Sequence, residues 1–332
     1  MKVVNCIALT RGDLSGKPSF SAFEEIKVAL SQINRGDLFI AGDADDIPLA
    51  LKRGAYGIIY DFDYEPHDDE IAWIKVRDTK SAAIVIAKYL LLKKQIRFVT
   101  TDSITFEIAR KINSEDSVVF LNTNDLVALF SAIKNDNKSV YIGHDDEYFQ
   151  ELTSEPVESY FVQKENGFHI INETMFETTL LDNDTELVIR LPHFMLKYLR
   201  NAQKIFTELN LTFTIEGVKS QKFFDPVFVD DNLKEREFGR TSKVMIFSEF
   251  DSLIFLRECI DFVKEKGRWG RLLFLLPSEL VGFEHNDTII THFGSDEELS
   301  DMLEDADFNF AFLVGANRKM ISKEKKEQLS LF

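Results

Sequence analysis

Cysteine is nearly absent, with only Cys6 and Cys259 in 332 residues. Two cysteines without metal-ligand spacing build neither a disulfide framework nor a cysteine zinc site, and they suit a reducing compartment. Long apolar runs are missing too. No stretch of about 18 apolar residues occurs, and the opening Met1-Lys2-Val3-Val4-Asn5-Cys6 has no long apolar signal core with a small-residue cleavage site. Neither membrane insertion nor secretion is expected, and cytoplasmic placement is. Basic charge is in deficit: 39 Lys and Arg against 56 Asp and Glu leave −17. That field repels phosphate backbones and anionic lipid surfaces, so no nucleic-acid partner is expected. Familiar catalytic signatures also fail to appear. There is no Gly-x-Ser-x-Gly elbow, no His-Glu-x-x-His, no Gly-x-Gly-x-x-Gly after a strand and no Gly-x-x-x-x-Gly-Lys-Ser/Thr phosphate loop.

What is present describes a globular chain of two or three domains: 45 % hydrophobic and 29 % charged residues are enough to bury a full core. Phenylalanine is frequent, at 30 residues, within strand-like and helix-like patterns that read as core volume. Basic groups at Lys93, Lys94 and Arg97 and at Lys323, Lys325 and Lys326 fall at predicted helix ends, where they complement the helix dipole. Of six histidines, none lies at metal-ligand spacing from another, and no metal site is expected. His144-Asp145-Asp146-Glu147 is the one dense set of potential ligands, and adjacent residues do not converge on an ion unless they loop, so it reads as an acidic surface turn. Arg11-Gly12-Asp13 and Arg35-Gly36-Asp37 read as turns feeding strands.

Strand and helix patterns alternate along most of the chain, which predicts an α/β fold. Strands are expected at 38–41, 57–60 and 74–76, with helices at 47–53, stopped by Gly54, and 81–93. Lys93-Lys94-Gln95 breaks the apolar pattern and marks a domain boundary. Beyond it the spacing predicts strands at 96–100, 118–121 and 140–142, helices at 104–112 and 126–133, antiparallel ribbons within 160–190 and a helix at 195–209. The polar stretch 223–239, with Pro226 and the Asp230-Asp231 pair, reads as a linker. A Rossmann-like, parallel-sheet domain is expected last, with strands at 243–247, 271–276, 288–292 and 310–314 and helices at 253–266, 296–303 and from about 322. Ser248, three residues before Asp251, resembles a helix-start signal. The expected domains are 1–94, 95–240 and 241–332.

Laid in order, several segments resemble the Mur ligase family. Ile33-Asn34-Arg35-Gly36-Asp37-Leu38-Phe39-Ile40-Ala41, then Ala50, Arg53-Gly54-Ala55 and Ile58-Ile59, then Val76-Arg77-Asp78-Thr79 with Ala82 and Ala87, are similar to the family's N-terminal domain. They are closest to the MurF branch, which adds D-alanyl-D-alanine to UDP-MurNAc-tripeptide. Leu191-Pro192 with Asn201-Ala202 resembles the family's adenine-binding element, and 312–320 resembles its late Val-Leu-Val-Lys-Gly-Ser-Arg-x-Met segment. The resemblance implies a three-domain Mur-ligase-like architecture with a reduced central domain and a Rossmann-like C-terminal domain.

Where the chain departs from that pattern, it departs at the nucleotide. An enzyme that makes an acyl phosphate from ATP needs glycines for close backbone approach, a lysine for the phosphates and a hydroxyl on magnesium. The matching strand end reads Thr101-Asp102-Ser103-Ile104-Thr105-Phe106-Glu107. It places Thr101 and Ile104 where the family has glycine, Thr105 where it has lysine and Phe106 where it has the hydroxyl. Lys197 and Tyr198 replace the His-Asn pair of the adenine element. Phe247-Ser248-Glu249-Phe250-Asp251-Ser252 lacks the tyrosine, asparagines and proline of the C-terminal counterpart. The resemblance with these losses implies a pseudoenzyme that needs no ATP or magnesium and has no catalytic residues. Two retained activities are expected as alternatives. A pocket with Arg35, Arg53, Asp78 and Thr79 would hold a UDP-MurNAc-peptide, although turn and capping work is their plainer role. Otherwise a surface including Asn317 and Arg318 would bind a cell-wall synthesis protein. The competing expectation is an active ligase with a rearranged nucleotide site, using ATP and magnesium.

Overall fold

In the computed structural model, residues 1–162, 167–182, 185–216, 218, 222–316 and 318 are described. The chain separates into two compact units, Met1–Asp102 with Ser114–Phe161, and Ser103–Asn113 with the described residues from Val162 onward.

The first unit holds two sheets. Helix α1 (Val3–Thr10) precedes strands β1 (Asp13–Ser15), β2 (Ile26–Lys27) and β3 (Leu38–Ile40), helix α2 (Ile47–Lys52), strands β4 (Gly57–Tyr60) and β5 (Ala72–Lys75), and helix α3 (Thr79–Leu91). The sheet order is β1-β5-β4-β3-β2, parallel except for β1. Both faces of its central strands are covered, which is why they read as unbroken apolar runs instead of alternating ones. Leu38, Ile40, Ile59, Ala72 and Ile74 enter one core cluster, while Phe39, Ile58, Tyr60 and Trp73 enter another. Asp78 starts α3 by accepting the Ser81 N–H at 2.6 Å, a standard N-cap.

After α3 come β6 (Arg97–Thr100), helix α4 (Ser103–Ile112) of the second unit, β7 (Val118–Phe120), α5 (Leu126–Lys134), β8 (Val140–Gly143), α6 (Asp146–Leu152) and β9 (Glu158–Ser159). The four strands form a parallel sheet in the order β7-β8-β6-β9. Helix α3 packs on α1, α5 and α6 together, and one cluster runs from Val3 and Cys6 through Ile86 to Tyr141 and Phe149. The polar break at residues 93–95 falls between α3 and β6, within the first compact unit.

In the second unit, β10 (His169–Glu173), β11 (Thr178–Asp182) and β12 (Thr185–Ile189) make the expected antiparallel ribbon, and α7 (Leu196–Glu208) follows. The stretch 223–239 corrects the linker reading. Its Asp225–Val229 forms β13, which pairs antiparallel with β14 (Lys243–Ser248) and buries Val227, Phe228 and Val229. Pro226 sits there because β13 is an edge strand, where a missing N–H costs no ladder bond. The rest is α8 (Leu253–Lys266), β15 (Leu272–Pro277), β16 (Ile290–Phe293), α9 (Asp296–Asp305) and β17 (Phe310–Val314). The sheet order is β13-β14-β17-β15-β16, with all but β13 parallel. Ser248 belongs to a strand, and Ser252 caps α8 by accepting from Phe255 N at 3.2 Å. The helix expected from residue 322 lies outside the described residues.

Two local features follow from packing more than propensity. The β-branched residues of α1 disfavour a helix, yet Cys6 is fully buried and Asn5 Nδ2 donates to the Tyr89 hydroxyl of α3 at 3.2 Å. Burial pushes the Cys6 thiol up to about 12 and Cys259 well above its ordinary value, so neither is a reactive thiol. Phenylalanine fills the second unit as core volume: Phe224 meets Phe194, Phe262 and Phe312 with ring centroids 5.6, 5.8 and 6.3 Å away.

The acidic turn at residues 144–147 is structural. Asp145 caps α6 by accepting Tyr148 N at 3.0 Å and takes a second bond from Thr123 Oγ1 at 2.9 Å. The Tyr148 N–H, with Thr123 adding to it against burial, holds the Asp145 carboxyl below its ordinary value. A lowered carboxyl contributes stability above its unfolded pKa and loses it as pH falls through the folded one. Asp145→Ala is expected to cost about 1 kcal/mol at neutral pH, measured by urea unfolding. The difference from wild type should shrink below about pH 4.

Candidate functional site

Four places bear on function, each within one unit. The first is the end of β6. The Thr101 N–H donates to Gly143 O at 3.1 Å, and its hydroxyl donates to Tyr160 O at 3.1 Å. Thr100 Oγ1 donates to Asp146 Oδ1 at 2.7 Å, and Ser159 Oγ donates to the same oxygen at 3.0 Å. A phosphate cradle works by aiming backbone N–H groups at the ligand. Here the first donor is spent on the sheet strand β8, and the neighbouring hydroxyls are spent on Asp146 of α6 and on Tyr160 O.

The second is helix α4. Its apolar face packs on α7, and Thr105, one of the positions compared with the ATP-binding loop, bonds across that contact. Thr105 is 0 % exposed, and Ile104 and Phe106 are each 1 % exposed. Thr105 Oγ1 accepts from Asn201 Nδ2 of α7 at 3.4 Å, and Ser103 Oγ donates to Asp251. Glu107 is buried too, as an ion pair with Arg110 and with Lys222 at 3.4 Å, and Lys222 also holds Glu249 at 2.8 Å. Burial pulls Lys222 down, but Glu249 and Glu107 outweigh it and keep Lys222 above its ordinary value. Lys197, at the adenine-element position, places Nζ 2.7 Å from both oxygens of Glu258, and Tyr198 meets Phe255 edge-on at 6.0 Å. Magnesium and ATP do not fit these residues. No lysine stands at the loop, the Thr101, Ser103 and Thr105 hydroxyls are bonded within the protein, and Asp102 and Asp251 place carboxylates in and beside it.

The third place is the N-terminal sheet, whose parallel strands separate the four expected ligand residues. Arg35 and Arg53 precede β3 and β4 and so lie at the amino ends. Asp78 and Thr79 follow β5 at the carboxyl ends. Arg35 Nε donates to the Tyr56 hydroxyl at 3.1 Å and Arg53 to Leu30 O at 2.8 Å. Gly36 N donates to Gly54 O at 2.9 Å, and both glycines have φ +94°. A Cβ at Gly54 would sit 3.0 Å from Arg35 Cα, so Arg35-Gly36 and Arg53-Gly54 build one double turn. Asp78 is the α3 cap, and Asp61 Oδ2 accepts from Thr79 N at 2.8 Å and Oγ1 at 3.0 Å. In parallel α/β sheets ligands bind at the carboxyl ends. That edge here follows β3 with Asp43, Asp45 and Asp46 and β4 with Asp61 and Asp63, and its Lys75 is paired with Asp63 at 3.0 Å.

The fourth is the end of β17. Arg318 bonds Glu235 and lies 4.0 Å from Asp225, against the β13 edge. Asn317 lies outside the described residues. Among the described residues, no three His, Cys, Asp or Glu side chains group to hold a metal ion, and no helix is long and apolar enough to cross a membrane. Sequence reasoning missed the Glu107–Lys222–Glu249 network. The signal for it was an acidic residue on the apolar face of α4.

No family model and no curated protein matches the chain. Solved structures do. The MurF ligase from Thermotoga maritima in complex with ADP is 14 % identical, with 90 % of this chain and 95 % of that one covered and a TM-score of 0.55. MurF from Acinetobacter baumannii is 11 % identical over 96 % of each chain, with a TM-score of 0.56. A second structure from that organism is described as UDP-N-acetylmuramoylalanyl-D-glutamyl-2,6-diaminopimelate–D-alanyl-D-alanyl ligase. It is 12 % identical over 96 % of each chain, with a TM-score of 0.53. The chain has a Mur-ligase-like fold, similar to that of the MurF ligases.

Restoring the lysine is expected to break packing without creating a phosphate site. Thr105→Lys should destabilise the protein by about 3 kcal/mol or more, because it buries an unpaired charge. Urea unfolding measures the loss, and calorimetry with Mg-ATP should show no gain of binding.

Proposed function

We propose that this chain is a noncatalytic protein on the Mur-ligase fold, related to MurF but without ATP-dependent amide-bond formation, and that it acts by binding a protein of cell-wall synthesis. The observation that carries the proposal is the burial of Thr105 between α4 and α7, at the position compared with the family's phosphate lysine. The three-part division 1–94, 95–240 and 241–332, a cytoplasmic setting and the absence of a nucleic-acid partner belong to the same proposal. Net charge −17 supports the last of these.

Of the two ligands weighed, a UDP-MurNAc-peptide and a protein, the acidic carboxyl edge of the N-terminal sheet favours the protein. A diphosphate there would face the carboxylates of Asp43, Asp45, Asp46, Asp61 and Asp63, and like charges repel. Arg35, Arg53, Asp78 and Thr79 act as turn and cap residues in this reading. Arg318, with Asn317, remains a candidate for the protein-binding surface.

The alternative is an active ligase with a rearranged nucleotide site that uses ATP and magnesium. Its support is the fold likeness to a MurF ligase solved with ADP. It would have to draw phosphate contacts from residues other than 101–106.

Separate calorimetric titrations with Mg-ATP and with UDP-MurNAc-tripeptide, followed by an ADP-release assay with both plus D-alanyl-D-alanine, distinguish the readings. No Mg-ATP binding and no ADP release are expected. Substrate-dependent ADP release would overturn the proposal. Tripeptide-precursor binding without ATP would keep the noncatalytic reading and replace the protein ligand with the precursor.

A further inference from the structure

A cavity of about 420 Å³ opens in the first unit between the sheet edge at β2 and helices α3 and α5. Its apolar wall comes from Ile26, Leu90, Phe130 and Ile133. Its polar end is a three-residue ion cluster in which Glu25 Oε2 lies 2.5 Å from Lys27 Nζ and Oε1 lies 2.8 Å from Lys134 Nζ. Two ammonium groups therefore share one carboxylate in direct contact, and the remaining positive charge is offset only at longer range, by the buried Asp37 acting on Lys134.

Lys27 gives that charge its direction. Its side chain is only 10 % exposed, and of the three N–H donors an ammonium carries, one goes to Glu25. A desolvated ammonium with donors to spare gains more from an incoming anion than a hydrated one does. The other charges of the lining do not compete for it. Lys94 and Asp136 pair with each other at 2.7 Å. Glu24 is exposed, with its Cγ 2.8 Å from where a Gly36 Cβ would sit, and Gly36 is not part of the lining. Lysines and carboxylates balance over the whole lining, so placement selects the anion and the sum does not. The Lys134 and Lys27 contacts also hold the Glu25 carboxyl below its ordinary value, so Glu25 stays ionised at neutral pH.

We propose that this cavity is a binding site for a monocarboxylate on an apolar body, its carboxylate held by Lys27 and Lys134 and its hydrocarbon laid on Ile26, Leu90, Phe130 and Ile133. A few placed polar groups at one end of an apolar cavity of this size is the usual form of a small-molecule site. The same chemistry arrives as a free aliphatic acid or as the C-terminal carboxylate of a peptide ending in an apolar residue. The proposal is independent of the ligase reading.

Calorimetric titration of the full chain tests it, with sodium octanoate against octanamide and acetyl-Gly-Gly-Leu against its C-terminal amide. At least one carboxylate should bind, with its amide weaker by about tenfold or more. The arm that responds identifies the source. Lys27→Met should weaken the carboxylate by a similar factor, and Ser131→Trp, at an exposed lining position, should block it. If circular dichroism shows that Lys27→Met does not fold, Lys134→Met at the exposed end of the cluster carries the same expectation. No binding of either acid at millimolar concentration, equal binding of acid and amide, or acid binding unchanged by the lysine substitution would each overturn the proposal.

Discussion

The contact between α4 and α7 is the constraint on which the chemistry of this protein depends. Thr105 is fully enclosed in it, with its hydroxyl accepting from Asn201 and with Ile104 and Phe106 beside it. A helix whose first turns are packed in this way cannot also present a lysine and a magnesium-binding hydroxyl to a triphosphate. Phosphoryl transfer asks almost nothing of a protein except positioned charges and donors. Under the proposed reading, those positions serve the core instead of a nucleotide. The Thr101 N–H bonded to Gly143 O makes the same point in the other unit: a donor that closes a sheet is not available to a ligand.

The acidic composition then shapes what the surfaces offer. Most carboxylates near the compared site positions have local work. Asp78 and Asp145 cap helices, Asp61 holds Thr79, Asp146 ties the ends of β6 and β9, and Glu107 sits buried with Arg110 and Lys222. The edge at which a parallel sheet usually receives a ligand is left negative. The apolar cavity with the Glu25–Lys27–Lys134 cluster lies elsewhere, along the β2 edge strand.

Much of the fold was legible in the sequence because the strands are short apolar runs separated by capped helices. The runs at β3, β4, β6, β8, β14 and β17 and the helices α3, α5, α7 and α8 fall within a few residues of their expected places. The misses have physical causes. Helix α1 is held by contact with α3 against its own β-branched propensity. Strand β13 carries Pro226 and is flanked by polar residues, so it imitates a linker and is recognised only through its pairing with β14. The core cluster that runs past residues 93–95 was not legible either, because it is assembled from residues far apart in sequence. For the site, the chain order showed which residues replace the phosphate loop but not where they point. Arg35 and Asp78 belong to one recurring pattern, yet the parallel sheet sends them to opposite ends. Locally, Gly36 and Gly54 form a double turn and Asp78 caps α3.

The most direct measurement is a crystal structure of the protein soaked with a nonhydrolysable ATP analogue and magnesium. The account predicts that residues 101–106 keep their contacts, with Thr105 enclosed against α7 and no ordered phosphates beside them. Phosphates ordered on the backbone of that loop, with α4 drawn away from α7, would contradict it.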